Sequence, residues 1–531
     1  MNILITHANI YTVNPAQPRA SAIAIANNRI LAVGNDQDIE AIRLPHAAHV
    51  NLNGAFVLPG FIDAHLHLLF TGLSMQRVDV FEVKSIHEAV ERVHTRAALT
   101  PPGQWILGNG WAQTSWGSDE FPTAAELDEA TRDHPVALSA KSGHAMWLNT
   151  LALQRAGITA GVPDPEAGQI VRDASGQPTG TLLENAMSLM SPVIPLPTPQ
   201  QAENATVEAM QAMNRHGLTG VHCMDGEGGI ESFRTYQRLR QQDRLTLRIV
   251  KQLPVSALDA AIRAGIRSGL GDNWLRIGGI KVFADGALGP RTAAMIEPYE
   301  GEPMNRGIST TEREELFETV LTSNTNGLAT FIHAIGDRAN HDVLDAFELS
   351  RRQTPPGAPP LRNRIEHAQI VHPSDIRRFA ELDVIASMQP IHATQDMHMA
   401  DAHWGRRSAT AYCFRSLRDT GARLAFGSDS PVENFDPLVG IHAAVTRQRA
   451  DGTPGPEGWY PEQRLDIADA IHAYTYGAAY AGGMEREVGS LQAGKLADLV
   501  VLSKDLTAIP PGELLSAQVE RVMLNGNWLE P

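Results

Sequence analysis

The chain has 531 residues, of which 43% are hydrophobic and 20% charged, with a formal net charge of -16 and a pI near 5.7. This composition is ordinary for a globular protein, and the length predicts a large domain with an accessory domain. The acidic balance excludes electrostatic attraction to nucleic acid or to an anionic membrane.

Cysteine content and hydropathy favour a cytoplasmic location. The two cysteines, Cys223 and Cys413, are too few for a disulfide framework or a cysteine zinc site, and we expect both to be reduced. The N-terminal residues lack the basic stretch and long apolar core of a signal peptide. Apolar runs of about 18 residues, as a membrane span requires, do not occur in the sequence.

Short β-like segments alternate with turns at both ends of the chain. They are Ile3–Thr6, Ala22–Ala26, Arg29–Val33 and His49–Leu52 at one end, and Leu499–Leu502 and Val519–Leu524 at the other. Neither set is large enough to bury a core alone. We therefore predict one small β-sandwich built from residues 1–56 and 488–531.

Between these ends, apolar runs alternate with helix-like stretches over residues 57–487. Eight runs have the character of buried parallel strands: Val57–His67, Gly217–Asp225, Leu245–Leu253, Ile277–Asp285, Ala329–Ile335, Arg364–Ala368, Val384–Gln389 and Leu424–Asp429. This α/β pattern predicts a (β/α)₈ TIM barrel.

A long stretch, residues 68–216, separates the first predicted strand from the second. One crossover helix needs far fewer residues, so we predict an inserted subdomain after the first strand. Active sites of such barrels lie at the carboxyl ends of the strands, and the insert is therefore expected to cover the site.

The strongest local signal lies at the end of the first barrel strand. Residues i and i+2 of a strand point to the same side, so His65 and His67 point together and could chelate a divalent ion. A strand that merely carries two histidines is the alternative. His333, His367 and Asp429 each follow an apolar run at another predicted strand end. Their positional coincidence favours a metal site.

Lys281 lies inside an apolar strand, where a charge is costly unless it is paired. Burial lowers the pKa of an amine, and a neutral amine can add carbon dioxide to give a carbamate that bridges two metals. Pairing of Lys281 with Asp285 or Glu366 is an equally good explanation from the residues alone.

The chain resembles the amidohydrolase superfamily, specifically the family 3 branch that includes N-substituted formamide deformylases. The resemblance spans almost the whole chain. Its motifs are His65-Leu66-His67, Gly108–Trp111, Lys281–Gly286, Phe331–Asp337, Arg364–His367, Gln389-Pro390, Gly427–Val432 and Gly489–Asp498.

The resemblance implies one or two divalent ions, with zinc the expected metal. His65, His67, His333 and His367 would bind them, together with Lys281 as a bridging carbamate formed from carbon dioxide. Asp429 would bind metal or act as general base.

Three further residues are candidates for substrate contacts: Trp111, His144 and His392. For each of them, a role as supporting structure is the favoured alternative. Relatives often carry an aspartate before the Gly-His pair, where this chain has Ser142, which leaves the role of His144 open.

We expect hydrolysis of a C–N bond in an amide, N-acyl or N-formyl compound by metal-activated water. A deaminase of a small heterocycle is one alternative, but such enzymes carry a glutamate where this chain has Gly336, one residue before Asp337. A barrel without catalysis is the other alternative. The expected partner is a small-molecule substrate rather than nucleic acid or membrane, with self-association into a homo-oligomer left open.

Overall fold

Eight parallel strands form one sheet at the centre of the computed structural model. The structure describes residues 2–42, 44–81, 83–117, 120–141, 144–166, 168–226, 229–354, 357 and 359–530. In chain order the strands are β1 (Phe61–Leu66), β2 (Leu218–Cys223), β3 (Arg248–Pro254), β4 (Leu275–Phe283), β5 (Ala329–Ala334), β6 (Arg364–His367), β7 (Ile385–Met388) and β8 (Leu424–Phe426). The predicted barrel is confirmed.

Two backbone hydrogen bonds join the first strand to the chain that follows the last one. The amide of Asp429 donates to the carbonyl of His65 at 2.7 Å, and the amide of His67 donates to the carbonyl of Ser430 at 2.8 Å. These bonds close the sheet at its carboxyl end. They also bring β1 beside residues that follow β8.

Helices separate most of the barrel strands. Those between β2 and β7 are Gly229–Gln241, Leu258–Arg263, Arg313–Thr325, Asp337–Gln353 and Ile376–Glu381. Those after β7 are Pro390–Gln395, Met397–Trp404, Phe414–Asp419, Pro437–Thr446, Ile467–His472 and Ala478–Ala481. Among the described residues, no helix has both the length and the apolar character that a bilayer crossing requires.

The first predicted barrel strand is in fact two strands that belong to different sheets. Phe56–Pro59 pairs with Leu499–Leu502, whereas β1 pairs with β2. The chain changes sheet at Gly60, where a Cβ atom would overlap the side chain of Thr219. Glycine is therefore required at this crossing.

Strands from both chain ends share one sheet, and a second sheet from the N-terminal end packs with it around one hydrophobic core. One sheet has the order Arg29–Gly34, Ala22–Ala26, Asn2–Thr6 and Ala48–Asn51. The other has the order Asn527–Trp528, Val519–Leu524, Leu499–Leu502, Phe56–Pro59, Asn9–Tyr11 and Arg19–Ala20. Their shared core includes Ile5, Ile25 and Leu499.

Residues 73–201 form a second compact unit. Its mixed sheet has the order Gly168–Arg172, Pro178–Glu184, Ala145–Leu148, Val136–Ala140, Ile106–Trp111 and Val78–Asp79. Its helices are Ile86–Ala97, Ala124–Ala130 and Thr150–Arg155. The unit is shorter than the predicted insert of 68–216, because most of the helix Pro199–Arg215 belongs to the barrel unit.

Candidate active site

Polar side chains from separate barrel strands meet at the carboxyl ends of those strands. The ring centroids of His65 and His367 are 4.7 Å apart, and those of His333 and His367 are 4.6 Å apart. One ligand atom each from His65, His367 and Asp429 lies within 4.8 Å of the other two. We call His65, His67, His333, His367 and Asp429 the polar cluster.

Two members of the polar cluster have unusual backbone conformations. The φ angles of His367 and Asp429 are 73° and 61°, in the left-handed region that non-glycine residues rarely adopt. Such conformations cost on the order of 1–3 kcal/mol each and are concentrated at functional sites. The surrounding barrel therefore holds both side chains in place against a local preference.

His65 is held by a buried carboxylate from β6. Its Nδ1 is 2.6 Å from Oε2 of Glu366. A carboxylate can only accept, so Nδ1 carries the proton and the lone pair of Nε2 faces Oδ1 of Asp429, 3.4 Å away. Arg364 Nη2 donates to the same Oε2 at 2.9 Å. Despite burial, the charge of Arg364 and the hydrogen bond from His65 hold the pKa of Glu366 well below its usual range.

His333 and His367 also have one ring nitrogen engaged and the other available. Nε2 of His333 donates to the carbonyl of Gly286 at 2.8 Å, which leaves the lone pair on Nδ1. Nδ1 of His367 donates to Oε1 of Gln389 at 2.9 Å, which leaves the lone pair on Nε2. Burial holds the pKa of both histidines below the ordinary value, so both are neutral and able to coordinate a metal.

His67 lies between two carboxylates. Its Nδ1 is 3.4 Å from Oδ1 of Asp225, and its Nε2 is 3.3 Å from Oδ1 of Asp429. Burial alone would lower the pKa of His67, but its contacts with these two carboxylates outweigh burial and raise that pKa to about 9.

Lys281 is buried on β4 and forms no ion pair with any described residue. Asp285 and Glu366, its suggested partners, are engaged elsewhere. Asp285 accepts the backbone amides of Ile335, Gly336 and Ala294, and Glu366 contacts Arg364 and His65. Burial lowers the pKa of Lys281 to about 8, although the charges of Glu366 and Asp429 raise it. The salt-bridge explanation for this lysine is therefore not supported.

His392 lies beside Asp429, with 3.7 Å between its Nε2 and Oδ2 of the carboxylate. Its Nε2 is buried and has no hydrogen-bond partner among the described residues. Its Nδ1 is 3.4 Å from Nε2 of Gln369. His392 therefore presents an unused polar atom next to the polar cluster, and its substrate contact stays a prediction.

Trp111 does not have the environment expected of a substrate contact. It is fully buried in the hydrophobic core of the 73–201 unit, and its Nε1 donates to the carbonyl of Leu138 at 2.7 Å. Its ring lies 6.2 Å from those of both Trp116 and Trp147. The motif that contains Trp111 thus supplies a core residue, and the expected contact is corrected to a packing role.

Replacing Trp111 with alanine should lower the free energy of unfolding by about 3–5 kcal/mol, as for other buried aromatic residues. Metal content should be unchanged. Trp111→Phe is the matched control, since it keeps most of the packing and loses the hydrogen bond to Leu138. Denaturant unfolding measures both variants. A loss below about 0.5 kcal/mol for Trp111→Ala, as at surface positions, would contradict the packing role.

His144 lies in the same 73–201 unit and is exposed. Its Nδ1 is 2.9 Å from Oε2 of Glu184, and both residues line a cavity of about 590 Å³. Its role in substrate binding stays a prediction. Ser142 and Gly143, the preceding residues of that motif, lie outside the described residues.

The sequence analysis did not identify the buried residues that surround the polar cluster. Asp225, Lys251, Arg364 and Gln389 are all buried around the polar cluster. Lys251 gave a usable signal, because it interrupts an apolar strand just as Lys281 does. The others become informative only when neighbouring strands are placed side by side.

The comparisons with known proteins agree with this geometry. The model of the amidohydrolase family matches residues 48–529. Protein LONG AFTER FAR-RED 3 of Arabidopsis thaliana is 34% identical, over 94% of this chain and 87% of that protein. The N-substituted formamide deformylase of Arthrobacter pascens is 30% identical, over 99% and 97%.

A solved structure shows the same fold over the same length. An uncharacterised metal-dependent hydrolase from Pyrococcus furiosus superimposes with a TM-score of 0.80 and 30% identity, covering 96% of this chain and 100% of that one. The likeness therefore extends over barrel and sandwich together, and the chain belongs to the amidohydrolase family.

Proposed function

We propose that this protein is a metal-dependent hydrolase that cleaves the C–N bond of an amide, N-acyl or N-formyl compound. The observation that carries the proposal is the convergence of His65, His367 and Asp429 within 4.8 Å. A small-molecule substrate and a cytoplasmic location are part of the same proposal.

The donor set fits a divalent metal ion. The rings of His65, His333 and His367 each have one nitrogen engaged by an acceptor, so the other nitrogen has a lone pair available. Imidazole nitrogens with a carboxylate oxygen are ligands that zinc prefers, so we propose zinc. An ion held there supplies Lewis-acid catalysis, polarising a carbonyl and lowering the pKa of a water molecule.

Asp429 is the proposed proton acceptor. Despite burial, the contacts with His65 and His67 hold its pKa well below the usual range, so it is ionised at neutral pH. Its Oδ1 lies between the rings of His65 and His67, and its Oδ2 faces His392. In this position Asp429 can take a proton from an attacking water and return it to the leaving amine.

Two measurements test this function. Metal analysis of the purified protein should find a divalent ion, and a panel of N-formyl, N-acetyl and cyclic amides should include a substrate. The deformylase relative makes N-substituted formamides the first compounds to assay. Release of ammonia from a heterocycle, with no amide cleaved, would favour the deaminase alternative instead.

We propose that Lys281 is a carbamate in the active protein. Its Nζ lacks an ion pair within the described part of the chain, and burial favours its neutral, reactive form. A carbamate reverses the sign of the charge and supplies oxygen atoms that a second metal ion can use.

Lys281→Ala should lower the number of bound metal ions per chain, and a short carboxylic acid such as propionate should restore part of the activity. Lys495→Ala is the matched control, because Lys495 is also largely buried but is hydrogen-bonded to Ser490 in the sandwich. The control variant should keep its bound metal, and added propionate should not change its activity. An unmodified Lys281 in fully metallated, active protein, seen by mass spectrometry, would contradict the carbamate.

A further inference from the structure

A buried ion pair lies next to His67. Asp225 follows β2 and Lys251 lies on β3; both side chains are fully buried, with 3.2 Å between Nζ and Oδ2. Neither residue takes part in the catalytic steps proposed above. Burying two opposite charges often contributes nothing to stability, so stability alone does not explain the pair.

The hydrogen-bond donors around the Asp225 side chain all contact the same one of its two carboxylate oxygens. Ser232 Oγ donates to Oδ2 at 2.6 Å, Lys251 Nζ contacts the same atom, and the hydroxyl of Tyr236 is 3.5 Å from it. The other oxygen, Oδ1, accepts no hydrogen bond from the described part of the chain, and it lies 3.4 Å from Nδ1 of His67. The carboxylate is thus anchored on one side and faces the imidazole with the other.

The same construction occurs behind His65. Glu366 lies against Nδ1 of His65, and the buried guanidinium of Arg364 holds Glu366. A carboxylate that pairs with its own buried cation therefore contacts Nδ1 of each histidine, His65 and His67. In each case the opposite ring nitrogen points to Oδ1 of Asp429, at 3.4 Å for His65 and 3.3 Å for His67.

We propose that Asp225 and Lys251 form a positioning pair for His67. Asp225 keeps the proton on Nδ1, so that Nε2 is the nitrogen that gives up its proton and presents a lone pair when the metal binds. Lys251 holds Oδ2 and thereby stops the carboxylate from turning away. The inference rests on the proposed function, since it assumes that His67 binds metal. Carboxylates behind metal-bound histidines are typically worth 10–100-fold in metal affinity, about the size of effect expected here.

The test is the double variant Asp225→Asn/Lys251→Met, which removes both charges and leaves neither one buried without a partner. Zinc affinity, measured by competition with a coloured chelator, should fall by about 10–100-fold. The visible spectrum of the cobalt-substituted protein should also change, because one imidazole is no longer held in place. The first measurement reports the affinity for the metal and the second its coordination, and neither depends on turnover.

Arg248→Met/Asp498→Asn is the matched control. Arg248 is on the same strand as Lys251, and its buried pair with Asp498 touches no member of the polar cluster. This control should bind zinc as the parent does. Parent-like zinc affinity in Asp225→Asn/Lys251→Met would overturn the inference alone. Failure of the parent to bind zinc would overturn the proposed function as well.

If the double variant does not fold, Ser232→Ala provides the same test in milder form. It removes one donor from Oδ2 of Asp225 and keeps both charges. A weaker zinc affinity supports the positioning role of Asp225, and an unchanged affinity contradicts it.

Discussion

Replacing both His65 and His67 with alanine is expected to remove the bound metal and abolish turnover. His65 lies on β1 and His67 directly follows it, and His65 supplies one of the three ligand atoms that converge within 4.8 Å. Without them, Asp429 would lose the contacts that hold its pKa low. Metal analysis and the amide assay measure the two effects separately.

His442→Ala is a suitable control for the loss of a buried histidine. His442 lies in the helix Pro437–Thr446, outside the polar cluster. It should keep both metal and activity. Normal metal content in the His65→Ala/His67→Ala variant would show that the polar cluster is not the metal site.

Asp429→Asn should lower kcat by at least about 10²-fold, the usual contribution of a general base. The amide keeps the size of the side chain but cannot accept the proton of the attacking water. Metal should be partly retained, because the histidines are unchanged. A base acts only when ionised, so parental activity should fall as the pH drops through the pKa of Asp429. The variant should lack that fall.

Asp337→Asn distinguishes this role from the deaminase alternative. Asp337 follows β5, and its Oδ1 accepts the backbone amide of Ile296 rather than facing the polar cluster. We expect its replacement to leave kcat near that of the parent. A larger loss for Asp337→Asn than for Asp429→Asn, or an unchanged pH–rate profile in Asp429→Asn, would contradict the assignment of the base.

The barrel could be predicted because parallel strands buried on both faces leave continuous apolar runs in the sequence. Each of the eight runs contains most of one barrel strand. The change of sheet at Gly60 was missed, because β-like character continues unbroken from Val57 to His67. The partner that a strand pairs with is a long-range property, and here Leu499–Leu502 takes the first part of the run.

The site was partly predictable for a related reason. Polar residues at the carboxyl ends of strands meet in space, so His65, His333, His367 and Asp429 could be grouped without a structure. Lys251 and Lys281 have the same sequence signal and different surroundings. Lys251 pairs with Asp225, whereas Lys281 forms no ion pair with a described residue. Local sequence does not contain that difference.

The motif around Trp111 shows that a matching motif does not reveal the role of each of its residues. Trp111 was a candidate for substrate contact, but it lies in a hydrophobic core, and Gly108 and Gly110 are explained by close backbone contacts. A Cβ on Gly108 would meet the Val78 carbonyl at 2.6 Å, and Gly110 has a φ of 111°. Tight packing within the 73–201 unit therefore accounts for the pattern.

The place where β1 meets the end of β8, which we call the seam, links metal binding to the stability of the barrel. β8 has only three residues, and the backbone hydrogen bonds at that seam are made by His65, His67, Asp429 and Ser430 themselves. An ion held by His65 and Asp429 would act as a cross-link between β1 and the chain that follows β8, the first and last strands of the barrel. Local unfolding of the seam would then require release of the ion. Metal binding and closure of the barrel are thus linked equilibria, in which each stabilises the other.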